Sequence, residues 1–194
     1  MYKTNEQYEQ ETPREKPRGI GLRSAKECAY IAVFVALVIA TQLALSVVPG
    51  VEVVTVLFVS YAYVFGRGRG MTAATAFSLV RQLVFGFYPT VLILYILYYN
   101  LLALAFGSMG KTDRLPVKTL PFVVVAACLC TVCFTLLDNV LTPLWYGYSE
   151  RAAQLYFSAS LPFLLPQVAC VAATTLTLFL PLVRVFGLIK GAHR

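Results

Sequence analysis

Residues 78–90 read Ser-Leu-Val-Arg-Gln-Leu-Val-Phe-Gly-Phe-Tyr-Pro-Thr. They set Arg81 and Gln82 inside a segment otherwise apolar enough to cross a bilayer. An arginine at the centre of a membrane helix costs about 2.5–3.5 kcal/mol on insertion scales, so it needs a partner, water or a ligand. Two readings are open. Arg81 faces a bundle interior or watery cavity and meets an anion there. Or it belongs to a structural ion pair, or snorkels, because the turn at 86–89 is only a few residues away.

Working outward, the chain has 194 residues, of which 59% are hydrophobic, and a mean hydropathy of +0.73. Ordinary soluble domains contain about 45–50% apolar residues. Apolar runs at 28–48, 51–65, 71–87, 90–107, 117–137 and 161–186 predict six membrane segments. The second is short for a hydrocarbon core about 30 Å thick, so it must tilt or lie where the protein is thin. The expected fold is all-α: a polytopic bundle over residues 27–190, preceded by a polar tail over 1–26. That tail mixes acids and bases without an apolar core, which predicts disorder rather than a signal peptide.

The net charge of +7 does not form a nucleic-acid footprint. All but two of the sixteen Lys and Arg residues fall in the tail, in 66–70, in 111–118 or after Leu182. With six crossings these four regions share one side, and both termini are expected in the cytoplasm of a bacterial plasma membrane. The exceptions are Arg81 and Arg151. The connection at 138–160 then lies outside, and it carries Trp145, Tyr146, Tyr148, Tyr156 and Phe157. Such aromatics suit an interfacial anchor, with a lid over a pocket as the other reading. Ser149-Glu150 predicts the start of a short surface helix to about Ser158.

Metal and histidine chemistry find little support. Cys128, Cys130 and Cys133 imitate a metal spacing, but 128 lies off the face shared by 130 and 133, and the single histidine is His193. These cysteines, with Cys28 and Cys170, read as small packing residues. No cofactor is expected. No Ser/His or paired-acid constellation appears at mid-depth, so an enzyme is not expected.

The polar residues of the segments have a pattern of their own. Gln42, Glu52, Arg81, Gln82, Asp138, Asn139 and Gln167 all fall in outer halves or at outer ends, and Asn100 lies near mid-depth beside Tyr95, Tyr98 and Tyr99. Polar groups in lipid must meet each other, water or a ligand. Their convergence predicts an outward-opening pocket for a small organic ligand, with Gln42, Glu52, Arg81, Gln82, Tyr95, Tyr99, Asn100, Asp138, Asn139 and Gln167 as its candidates. Helix capping is the alternative.

The first segment carries a second signal. Ala25, Ala29, Ala32, Ala36, Ala40 and Ala44 recur every three or four residues and form one smooth stripe, with Gln42 roughly 120° from Ala36. Small stripes let another helix approach closely, whether within the bundle or from a partner.

Together these features resemble the substrate-binding S component of energy-coupling factor (ECF) vitamin transporters. The resemblance rests on the six-segment architecture, on Ala32, Ala36 and Ala40, on Pro49-Gly50-Val51-Glu52, and on Phe65-Gly66 followed by Gly70. It implies an ABC-type importer in which the alanine face, Ala29 included, docks on a transmembrane coupling (T) subunit. Two cytoplasmic ATPases supply energy, and the vitamin-like ligand binds near the outer face. The chain has no Gly-x-x-x-x-Gly-Lys-Ser/Thr loop of its own. The alternatives are a membrane scaffold resembling the rod-shape protein MreD and a self-sufficient small carrier.

Overall fold

The computed structural model describes residues 25–47, 52–110 and 116–191. The tail over 1–24, Pro49-Gly50-Val51, residues 111–115 and His193 lie outside the described residues. Six α-helices and no strand are present among the described residues: α1 (Ala25–Leu45), α2 (Val54–Phe65), α3 (Arg67–Phe85), α4 (Pro89–Met109), α5 (Pro116–Trp145) and α6 (Glu150–Gly191). The fold is an all-α bundle.

The bundle is built around α2. Its sequence, VTVLFVSYAYVF, is apolar on every side, as a helix enclosed on every side must be. Val54 to Tyr63 are all buried, and α2 touches each of the other five helices. Its twelve residues rise only about 18 Å, well short of a hydrocarbon core of about 30 Å. Neighbouring helices, not lipid, surround it. An aromatic cluster fills the space between them. Phe34 of α1 stacks on Tyr61 with ring centroids 4.0 Å apart and meets Phe58 edge-on at 5.3 Å. Phe58 in turn packs on Phe77 of α3 and Tyr99 of α4.

Four helices are long and apolar enough to span a membrane: α1, α4, α5 and α6. Helix α3 has the length but not the composition, since Arg67, Arg69, Arg81 and Gln82 all belong to it. It starts directly after Gly66, whose φ of 85° is left-handed and so favours glycine. Residues 66–70, expected as a loop, are instead a one-residue break followed by helix. Gly70 sits against Ala62 and Ala103, where a Cβ would lie 3.1 Å from either side chain. This close packing is why a glycine stands inside a helix here.

The connection expected over 138–160 is also corrected. Helix α5 runs on to Trp145 and α6 begins at Glu150, so only 146–149 turn. Ser149 caps α6, its hydroxyl accepting from the Ala152 amide at 3.3 Å, and Glu150 complements the helix dipole. The start at 149–150 is as the sequence predicts, but the helix does not stop near Ser158. It continues as 42 residues, about 63 Å long, paired along α5. This hairpin is longer than a bilayer's hydrocarbon core.

Both ends of the bundle are chemically distinct. At one end the start of α1, the α2–α3 break and the end of α6 converge: Arg69 pairs with Glu27, and the Lys190 ammonium donates to the Val64 carbonyl. The end of α4 joins them, with Gly110 against the Tyr63 backbone. The opposite end holds Gln42, Glu52 and Arg81.

Candidate ligand cavity between the hairpin and the bundle core

A cavity of about 450 Å³ opens between the ends of α1 and α3, the start of α2, α4 and the α5–α6 hairpin. Its size falls within the usual range for small-molecule sites. Six of the ten sequence candidates line it: Gln42, Glu52, Arg81, Tyr95, Tyr99 and Gln167.

Arg81 is held by its surroundings in a fixed pose. Its guanidinium carbon lies 4.5 Å from the Tyr95 ring centroid and 4.7 Å from that of Phe85, two cation–π contacts. Its Nε donates to Gln42 Oε1 at 3.2 Å, and Gln42 Nε2 donates to the Tyr95 hydroxyl at 3.3 Å. Every one of these partners is neutral. Among the described residues the ion pair is Glu27–Arg69, so Arg81 pairs with neither Glu52 nor Asp138.

Glu52 forms the other polar wall. Its carboxylate accepts from Thr55 Oγ1 at 2.7 Å and from Gln167 Nε2 at 2.8 Å. Helix α6 also grips its backbone: the Glu52 amide donates to Cys170 Sγ at 3.2 Å, and its carbonyl accepts from Thr174 Oγ1 at 3.4 Å. The carboxylate is thus oriented by hydroxyl and amide donors, without a cation to cancel its charge.

Four candidates do not line the cavity, each for a geometric reason. Gln82 follows Arg81 by about 100° on the helix and turns inward. It is buried, and its Oε1 accepts from the Tyr88 amide at 3.1 Å, closing the α3–α4 turn. Asn100 bonds Thr75 and the Ile96 carbonyl, tying α4 to α3. Asp138 accepts from Thr142 Oγ1 and from the Tyr156 hydroxyl, and Asn139 donates to Ser160 Oγ at 2.7 Å. These last two fasten α5 to α6 well inside the hairpin, rather than ending a helix.

The sequence reading missed Phe85, Phe134 and Phe163 among the lining residues. Nothing about an apolar residue in an apolar helix marks it as a wall. Gly86-Phe87-Tyr88-Pro89 was the one signal near Phe85, since a turn there ends α3 at the cavity rim.

The alanines Ala29, Ala32, Ala36 and Ala40 are exposed on α1. Ala32 and Ala36 line a shallow, almost wholly apolar groove with Thr72, Ala76 and Val80 of α3. Buried Ile31, Val35 and Ile39 of α1 also line it, so it follows the seam between α1 and α3. A scan against protein-family models and searches of curated proteins and of solved structures find no match to this chain.

Proposed function

We propose that this protein is the substrate-binding membrane subunit of an ECF-type ABC importer. It captures a vitamin or related small micronutrient at the outer face and passes it on with a coupling subunit and two ATPases. One observation carries the reading: a 450 Å³ cavity in which Arg81 and Glu52 face the same space and neither neutralises the other. Intramembrane charge without an internal partner is a binding device by default. The chemistry favours a ligand with a carboxylate or phosphate for Arg81, a hydrogen-bond donor for Glu52, and a flat body for the walls of Tyr95, Phe134 and Phe163.

The rest of the molecule supports the same division of labour. In this reading six helices cross with both termini inside, which puts the end bearing Lys26, Arg67, Arg69 and Lys190 in the cytoplasm and the cavity outside. The exposed alanine groove on α1 and α3 is the docking face for the coupling subunit. Vesicles containing the protein, a coupling subunit and its ATPases should take up the ligand only when all are present and ATP is supplied. Uptake by the protein alone would identify a self-sufficient carrier. A protein that neither binds nor transports, but assembles with cell-wall proteins, would be a scaffold.

A further inference from the structure

The ligand cavity has a charge balance of its own. Arg81 and Glu52 both line it, one positive and one negative, so their formal charges cancel in sum. Neither has an ion-pair partner among the described residues. A ligand bearing only an anion would answer Arg81 and leave the Glu52 charge uncompensated between membrane helices. One bearing only a cation would leave Arg81 in the same position.

The Glu52 wall suits a cation better than a neutral donor. Its two carboxylate oxygens accept from Thr55 Oγ1 at 2.7 Å and from Gln167 Nε2 at 2.8 Å. The Thr55 hydrogen points at Glu52, so Tyr98 is the donor in the 3.5 Å contact between their hydroxyls. These neutral donors orient the carboxylate without cancelling its charge, and another neutral donor would do the same. Aromatic surface borders this wall. Phe163 lies one turn before Gln167 on α6, Phe134 packs on Tyr98 with ring centroids 4.6 Å apart, and both line the cavity. Arg81 lies over the rings of Phe85 and Tyr95, whereas no side-chain cation of the described residues covers Phe134 or Phe163. Uncovered rings beside a carboxylate are favourable surroundings for a ligand's ammonium or ring-borne positive nitrogen. At the other wall Gln42 takes Arg81 Nε, and the terminal nitrogens remain to meet an anion.

We infer that the cavity takes a zwitterion: a flat molecule with a cationic nitrogen at Glu52, beside Phe134 and Phe163, and a carboxylate or phosphate at Arg81. The inference rests on the cavity being a ligand site, and not on how the ligand then crosses the membrane.

Calorimetric titration of the purified full chain with matched probes tests it. The probes are para-(aminomethyl)benzoate, which carries both charges, para-toluate, which carries the anion alone, and para-methylbenzylamine, which carries the cation alone, with their homologues one methylene longer. The better-fitting zwitterion should bind at least about tenfold more tightly than either single-charge probe. Glu52→Gln should erase its advantage over para-toluate, and Arg81→Gln its advantage over para-methylbenzylamine. The ranking on the native chain needs no variant, so it decides the matter even where a variant fails to fold. Equal or tighter binding of either single-charge probe would overturn the zwitterion while leaving the cavity a ligand site. Silence of every probe would remove the binding role of the cavity, and the inference with it. A zwitterion advantage that survives either substitution would overturn the assignment of that residue's charge.

Discussion

Arg81 shows how a residue's neighbours decide its meaning. Its sequence position leaves an ion pair, snorkelling and ligand binding equally open. The structure surrounds it with Gln42, Tyr95 and Phe85, while Glu52 and Asp138 are bonded elsewhere. Truncation therefore strands no buried carboxylate. Arg81→Ala should cost only the cation–π contacts and one hydrogen bond, on the order of 1–2 kcal/mol, and urea unfolding of the ligand-free protein measures it. A loss of several kcal/mol, restored by neutralising Glu52 or Asp138, would expose a hidden structural pair. Glu52→Gln keeps the shape and removes the charge, and leaves one acceptor oxygen where Thr55 and Gln167 each bond a separate one. It should weaken ligand binding more than it alters unfolding. Neighbouring Gln82 carries the complementary lesson: the same polarity one position along serves a turn, because 100° of helix rotation points it at Tyr88.

At the scale of elements, the sequence located α1 and α4 well, since each is a single apolar run with turn residues at its flanks. It failed on the hairpin for an identifiable reason. Asp138 and Asn139 read as the end of a helix, and the residues after them as an external, aromatic-rich loop. In the fold, Tyr156 donates to Asp138 and Ser160 accepts from the Asn139 amide across the hairpin, so α5 runs on to the turn at Gly147. Such cross-helix bonds leave no periodic trace in a sequence. Helix α4 illustrates a constraint that is equally invisible. A Cβ on Gly110 would run into the Tyr63 carbonyl, and one on Gly107 would lie 2.5 Å from the Arg67 amide nitrogen. Gly107→Ala should thus force α4 away from the α2–α3 break and destabilise the bundle by about 1–3 kcal/mol. Thermal melting of the purified variant would reveal it; a melting point equal to the native value would mean that this contact is loose. Ala36 is the contrasting case. It is exposed, so Ala36→Trp should leave folding and ligand affinity nearly intact while blocking assembly with a coupling subunit. Co-purification and affinity measured on one preparation separate the two effects. Lost affinity with retained assembly would remove the docking role from this face.

For the whole molecule, the sequence captured the polarity of the bundle better than its contours. The fold brings Lys26, Arg69 and Lys190 together at one end, the gathering that the positive-inside rule expects of a cytoplasmic end. The short central α2 was legible only as a puzzle of length. Enclosed by five neighbouring helices, its twelve residues are buried in protein rather than matched to a bilayer's thickness. Cysteine labelling of intact cells should find positions 67 and 190 protected and 148 accessible to an impermeant reagent. Accessibility of position 67 from outside would invert the bundle and put the large cavity on the inner face.

The central claim is that the large cavity takes a small charged ligand through Arg81. Thermal unfolding of the purified protein against a panel of vitamins and related micronutrients, run in parallel on the native chain and on Arg81→Ala, tests it most directly. One compound is expected to stabilise the native protein, by about 2.7 kcal/mol at 100 times its dissociation constant, and to leave Arg81→Ala unshifted. A panel in which no compound stabilises the native chain, or in which the variant shifts as much as the native chain does, would contradict the account.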